Sequence, residues 1–128
     1  MADAVTTQII VDGPHNCIMK FTNISDGTGE AAVTKVDVST LSGSPTRVGI
    51  RRIRGSTLGM GVQILWDATA DVLAWYVPAD HDSDQDFVHF SNIPNNAGAG
   101  VTGDIQFTTV GHTAGDVYTI ILEMIKQY

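Results

Sequence analysis

The feature that most constrains this chain is its punctuation. Runs of β-branched and aromatic residues stop at clusters of Gly, Pro, Asn or Asp, at intervals of about 8 to 15 residues. Residues 5–11 end at Asp12-Gly13-Pro14, and 15–24 end at Ser25-Asp26-Gly27-Thr28-Gly29. Residues 30–38 end before Leu41-Ser42-Gly43-Ser44-Pro45, and 46–58 end at Gly59. Residues 62–66 and 72–77 flank Asp67 to Asp71 and read as a hairpin. Residues 87–90, 104–110 and 117–128 supply three more segments. Within the runs apolar residues alternate, as in Cys17, Met19 and Phe21, in Ile105 and Phe107, and in Ile120, Leu122 and Met124. Near Arg51-Arg52 the alternation slips by one residue, which is what a β-bulge does. No window shows a helix's i, i+3, i+4, i+7 apolar stripe bounded by caps; Tyr118 to Lys126 is the one ambiguous segment, and its β-branched Thr119, Ile120 and Ile121 and its alternation favour a strand.

The pattern predicts an all-β chain, an antiparallel β-sandwich or jelly roll of about eight to nine strands. Composition agrees where it bears on turns: twelve Asp stand against two Glu, beside thirteen Gly and fourteen Thr. At 128 residues the chain should bury roughly two-thirds of its unfolded surface, enough for one domain over 1–128. Residues 1–8, weakly apolar, are expected as a flexible N-terminal arm. Phe21, Ile64, Trp66, Phe107, Ile120 and Leu122 occupy apolar phases and are the expected core.

The search for chemistry returns little. Cys17 is the sole cysteine, so no internal disulfide or cysteine zinc site can form; its phase predicts a buried small hydrophobe. His15, His81, His89 and His112 lack metal-ligand spacing. Asp80, Asp82, Asp84 and Asp86 alternate along an acidic run, but Gly and Glu are missing where a calcium-binding EF-hand loop needs them. The run is expected as a solvated loop, with one bound cation as the alternative. No nucleophile elbow, P-loop or dinucleotide fingerprint occurs. No enzyme activity and no cofactor are expected.

Charge narrows the partners. The net charge of −7 disfavours free nucleic acid. No stretch of about 18 apolar residues is present to span a bilayer as a helix, and residues 1–20 lack the pattern of a secretory signal, so synthesis in a cytoplasm is expected. Against the acidic background all four arginines, Arg47, Arg51, Arg52 and Arg54, crowd into eight residues. Such a patch suits docking to an acidic partner, with the 80–86 run of a neighbouring copy as one candidate. The bland alternative is an edge strand charged against aggregation. Trp66, Trp75 and Tyr76 would be the platform of a carbohydrate-binding sandwich, although aromatics so placed are more often core.

The opening Met1-Ala-Asp-Ala-Val-Thr-Thr-Gln-Ile-Ile-Val-Asp-Gly-Pro14, Met19-Lys-Phe-Thr-Asn-Ile-Ser-Asp-Gly-Thr-Gly-Glu30, Gly59-Met-Gly-Val-Gln-Ile-Leu-Trp-Asp-Ala-Thr69, Gly103-Asp-Ile-Gln-Phe-Thr-Thr109 and Gly115-Asp-Val-Tyr-Thr-Ile-Ile-Leu-Glu-Met-Ile-Lys126 together span most of the chain. These stretches resemble small virion structural proteins of tailed bacteriophages. The resemblance implies a capsid decoration (cement) protein on the virion surface, with the major capsid protein and other copies of itself, as a homodimer or homotrimer, for partners. It leaves a tail or head–tail connector subunit as the rival.

Overall fold

The computed structural model describes residues 4–80 and 82–127. They form nine strands: β1 (Ala4–Asp12), β2 (Asn16–Ile24), β3 (Val33–Val36), β4 (Arg47–Leu58), β5 (Gly61–Trp66), β6 (Val72–Val77), β7 (Asp82–Asp86), β8 (Ile105–Val110) and β9 (Val117–Gln127). Two single turns of 3₁₀-helix, Val38–Thr40 and Val88–Phe90, are the helical content of the described residues. The expected all-β class is what the structure shows.

The strands make two antiparallel sheets, one in the order β1-β2-β9-β4-β7 and one in the order β3-β8-β5-β6. Their pairing is nested. β2 pairs with β9, β3 with β8, β4 with β7 and β5 with β6. These are the successive rungs of one long hairpin, and they alternate between the two sheets. A long hairpin rolled up in this way is a jelly roll; β1 adds a ninth strand beside β2.

The interior is filled by the alternating apolar residues. Phe21, Ile64, Trp66, Phe107, Ile120 and Leu122 are all 0% exposed, as their phases predict. Phe21 meets Phe107 edge to face at 5.1 Å, and Phe107 meets Tyr118 at 5.8 Å, which joins β2, β8 and β9 across the sandwich. Cys17 is buried among them, and burial pushes its thiol pKa up to about 11. At the β4–β5 turn Gly59 has φ +83°, and a Cβ there would run into the Asp116 carboxylate, so glycine fits the position on both counts.

Three segments differ from expectation. The stretch read as an arm, 1–8, is from Ala4 onward the first part of β1, in register with β2 from Ala4↔Ile24 to Asp12↔Cys17, with a bulge at Ile10; residues 1–3 lie outside the described residues. The short strand expected at 87–90 is the 3₁₀ turn, preceded by a buried Phe87 that packs on Trp75 at 5.2 Å. The strand lies just before it, in the acidic run.

Candidate interaction surface

The four arginines lie on β4, between β9 and β7. Ile50 pairs with Met124 and Arg52 with Glu123, so Arg51 is the extra residue of a bulge, as the slipped alternation predicts. The bulge resets the phase. Ile53 and Gly55 turn inward, while Arg52 and Arg54 share the outer face of the five-stranded sheet. Arg51 is exposed on the bulge, and Arg47 stands at the start of the strand opposite Gln127. The structure thus brings Arg52 and Arg54 together and sets Arg47 apart.

The acidic run is not a loop. Asp82–Asp86 is β7, antiparallel to β4, with Arg52 opposite Asp86 and Arg54 opposite Asp84. Alternating Asp and alternating Arg share the period of a strand, so each sequence puts its charges on one face. Arg52 Nε and Nη2 donate to the two Asp84 oxygens at 2.9 and 2.8 Å, a two-pronged pair. Arg54 Nε stands 3.9 Å from the same carboxylate, and Arg52 Nε 3.8 Å from Glu123. Hydrogen bonding from Arg52 holds the Asp84 carboxyl below its ordinary pKa and in return raises that of the guanidinium. The mate expected in a neighbouring copy is therefore in the same chain.

The rest of the run has other work. Asp80 precedes the strand, and its Oδ1 accepts from the Gly59 backbone N–H at 2.8 Å. His81 lies outside the described residues. Both Asp84 oxygens are engaged by Arg52, and among the described residues no group of three His, Cys, Asp or Glu stands close enough to hold a metal ion. Beside the pair an open groove of about 490 Å³ runs between Arg54, Ser56, Asp82, Asp84, Thr119 and Ile121. Its walls mix hydroxyls, charge and one isoleucine, which suits contact with another protein surface better than enclosure of a small molecule.

The remaining candidates scatter. His15 and His89 are exposed, and His112 Nδ1 lies 3.1 Å from Thr109 Oγ1. Trp66 is 0% exposed, Trp75 packs on Phe87, and Tyr76 is on the opposite face of β6 from Trp75, so the three do not form a sugar platform.

Charges that the alternation does not flag are buried instead. Glu30 accepts from Asn23 Nδ2 at 2.8 Å and from the Tyr118 hydroxyl at 2.6 Å, and it pairs with Lys35; all four residues are buried. Lys126 Nζ donates to Asp12, to the Gly13 carbonyl at 2.7 Å and to the Ser42 carbonyl at 2.8 Å. These are buried hydrogen-bonded clasps, of the kind that fix which loop meets which strand. Comparison with known proteins finds no family model and no curated sequence that matches the chain.

Proposed function

We propose that this chain is a non-enzymatic structural protein of a tailed-bacteriophage virion. Within that class we read it as a capsid decoration protein that binds and stabilises the shell of the major capsid protein. The observation that supports this best is the jelly roll closed around a filled interior. Jelly rolls serve as capsid building blocks, as lectins and as cupins. A cupin needs polar ligands inside its barrel, and here that space holds Phe21, Ile64, Trp66, Phe107, Ile120 and Leu122. A lectin of the expected kind needs an aromatic platform, and Trp66 is in the core. What is left for function is the outside: flat sheet faces, edges and charge, the equipment of a subunit that works by contact.

Docking to the shell then uses groups not already satisfied within the chain. Arg51 on its bulge is exposed and sits beside the β4–β7 charge ladder. It is the arginine best placed to reach carboxylates of a capsid surface. Quantitative mass spectrometry and cryo-EM of purified particles from the source of this chain test the reading. Copies on the capsid surface in proportion to the major capsid protein are expected. A small fixed number in a tail or connector ring would overturn decoration, and absence from particles would overturn the virion role.

A further inference from the structure

We propose that β1 is a docking edge for a second copy of this chain, the two β1 strands pairing antiparallel about a two-fold axis at Thr7. The inference rests on the fold and stands whether or not the chain belongs to a virion.

Four strands form the edges of the two sheets, and three are guarded against pairing. β7 carries Asp82, Asp84 and Asp86, whose charges repel a like strand. β3 has four residues, with Lys35 among them and a shifted register. β6 is bulged at Ala74, and Ile93, Pro94 and Asn96 border the same hollow as its Leu73 and Ala74. β1 is different. It is nine residues long and has no ionisable side chain before Asp12, and that carboxylate is already clasped by Lys126. Among the described residues β1 has β2 as its one neighbour. Alternate backbone N–H and C=O groups of such a strand point away from the sheet, ready to pair.

Its side chains also lack a cover. Val5, Thr7 and Ile9 stand opposite Asn23, Phe21 and Met19, so they lie on the face that β2 turns to the core. The β2 residues are buried, yet Val5 is 48% and Ile9 46% exposed. The five-stranded sheet overhangs its four-stranded partner here and leaves an apolar ledge.

Edge and ledge are self-complementary. In an antiparallel pair, residues directly opposite share a face. With Thr7 opposite Thr7 of the second copy, Val5 meets Ile9 of that copy, Ile9 meets its Val5, and Thr6 meets its Gln8. The ledge then carries two Val–Ile contacts flanking a Thr–Thr pair, and the polar residues share the other face. No charge opposes a like charge. The bulge at Ile10 ends the regular stretch just beyond these contacts. One patch meeting itself is what a closed two-fold dimer requires, and the product is a continuous ten-stranded sheet.

Cysteine cross-linking reads the register. In the Thr7→Cys chain the new thiols would sit on strand positions about 4.5–5.5 Å apart, within disulfide reach. In the Thr6→Cys chain they would be diagonal, at about 7–8 Å, and out of reach. Both positions are exposed, and Cys17 is buried. With diamide as oxidant, Thr7→Cys should form a disulfide dimer at least tenfold faster than Thr6→Cys, with unchanged melting temperatures before oxidation. Equal rates, no dimer, or cross-linking of Thr7→Cys to an Asp84→Cys chain in its place would overturn the proposal. Sedimentation of the unmodified chain gives a second reading. It should show a monomer–dimer equilibrium whose dissociation constant rises at least tenfold in Ile9→Lys. A monomer at every concentration, or association untouched by Ile9→Lys, would overturn it as well.

Discussion

Glu30 shows how much a single residue can fix. Its carboxylate takes Lys35, Asn23 and Tyr118 at once, with almost no water nearby. Removing one member of such a set leaves another polar group buried and short of a partner. Tyr118→Phe keeps the ring that packs on Phe107 and removes the hydroxyl, so it should cost about 1–3 kcal/mol in urea unfolding. Asp104 runs the other way. Burial pushes its carboxyl pKa up, against the Val38 N–H that donates to it at 3.0 Å, and the Asp37 and Asp67 carboxylates push it further up. An acid whose pKa is raised on folding penalises the fold above its unfolded value of about 3.9 and not below it. Asp104→Asn keeps an acceptor for Val38, so calorimetry should show a higher melting temperature at pH 7 that converges with the parent near pH 3. None of this is legible in the sequence. Charged residues are ordinarily read as outward, and the partners that allow Glu30 and Lys126 inside come from distant stretches of chain.

At the scale of elements the instructive strand is β7. It is held to β4 by a backbone ladder and by alternating opposite charges. The joint change Arg52→Glu and Arg54→Glu would put like charges on both strands. Amide protection over 82–86 should fall while β5 and β6 stay protected, and adding Asp84→Arg should recover part of it. Acid acts on the same contact. Asp84 has a lowered folded pKa, foremost through its hydrogen bonds from Arg52. The contribution of the pair is thus complete above about pH 4 and disappears as pH falls through the lower folded value. Protection of β7 should decline in that acid window before protection of the core does. The bulge in β4 was legible because Ile50 and Ile53 break the alternation within one strand. β7 was not, because Asp is disfavoured in strands and the arginines that overrule this belong to another element. The arginine patch itself was legible as dense positive charge, but its pairing within the same chain was not.

For the whole molecule, the core was the most legible part, since burial follows the period-two alternation. Ile64→Ala and Leu122→Ala, in opposite sheets and both 0% exposed, should each cost about 2–5 kcal/mol. Unchanged melting temperatures would sink the idea of one core shared by both sheets. The nesting of strands was not legible, because the same alternating segments satisfy several sandwich orders. Nesting also has a consequence in time. β9 comes after every other strand in the chain, yet it lies between β2 and β4 in the middle of its sheet. A ribosome must therefore finish the sequence through Gln127 before that sheet can close. Until then β2 and β4 each have one side waiting for the same missing strand. Closure of that sheet waits on this last strand and runs at the millisecond-to-second pace of β-sheets built from distant segments. A nascent chain halted before Val117 holds every strand of the four-stranded sheet but lacks the one that joins β2 to β4, so its other sheet is left in two pieces.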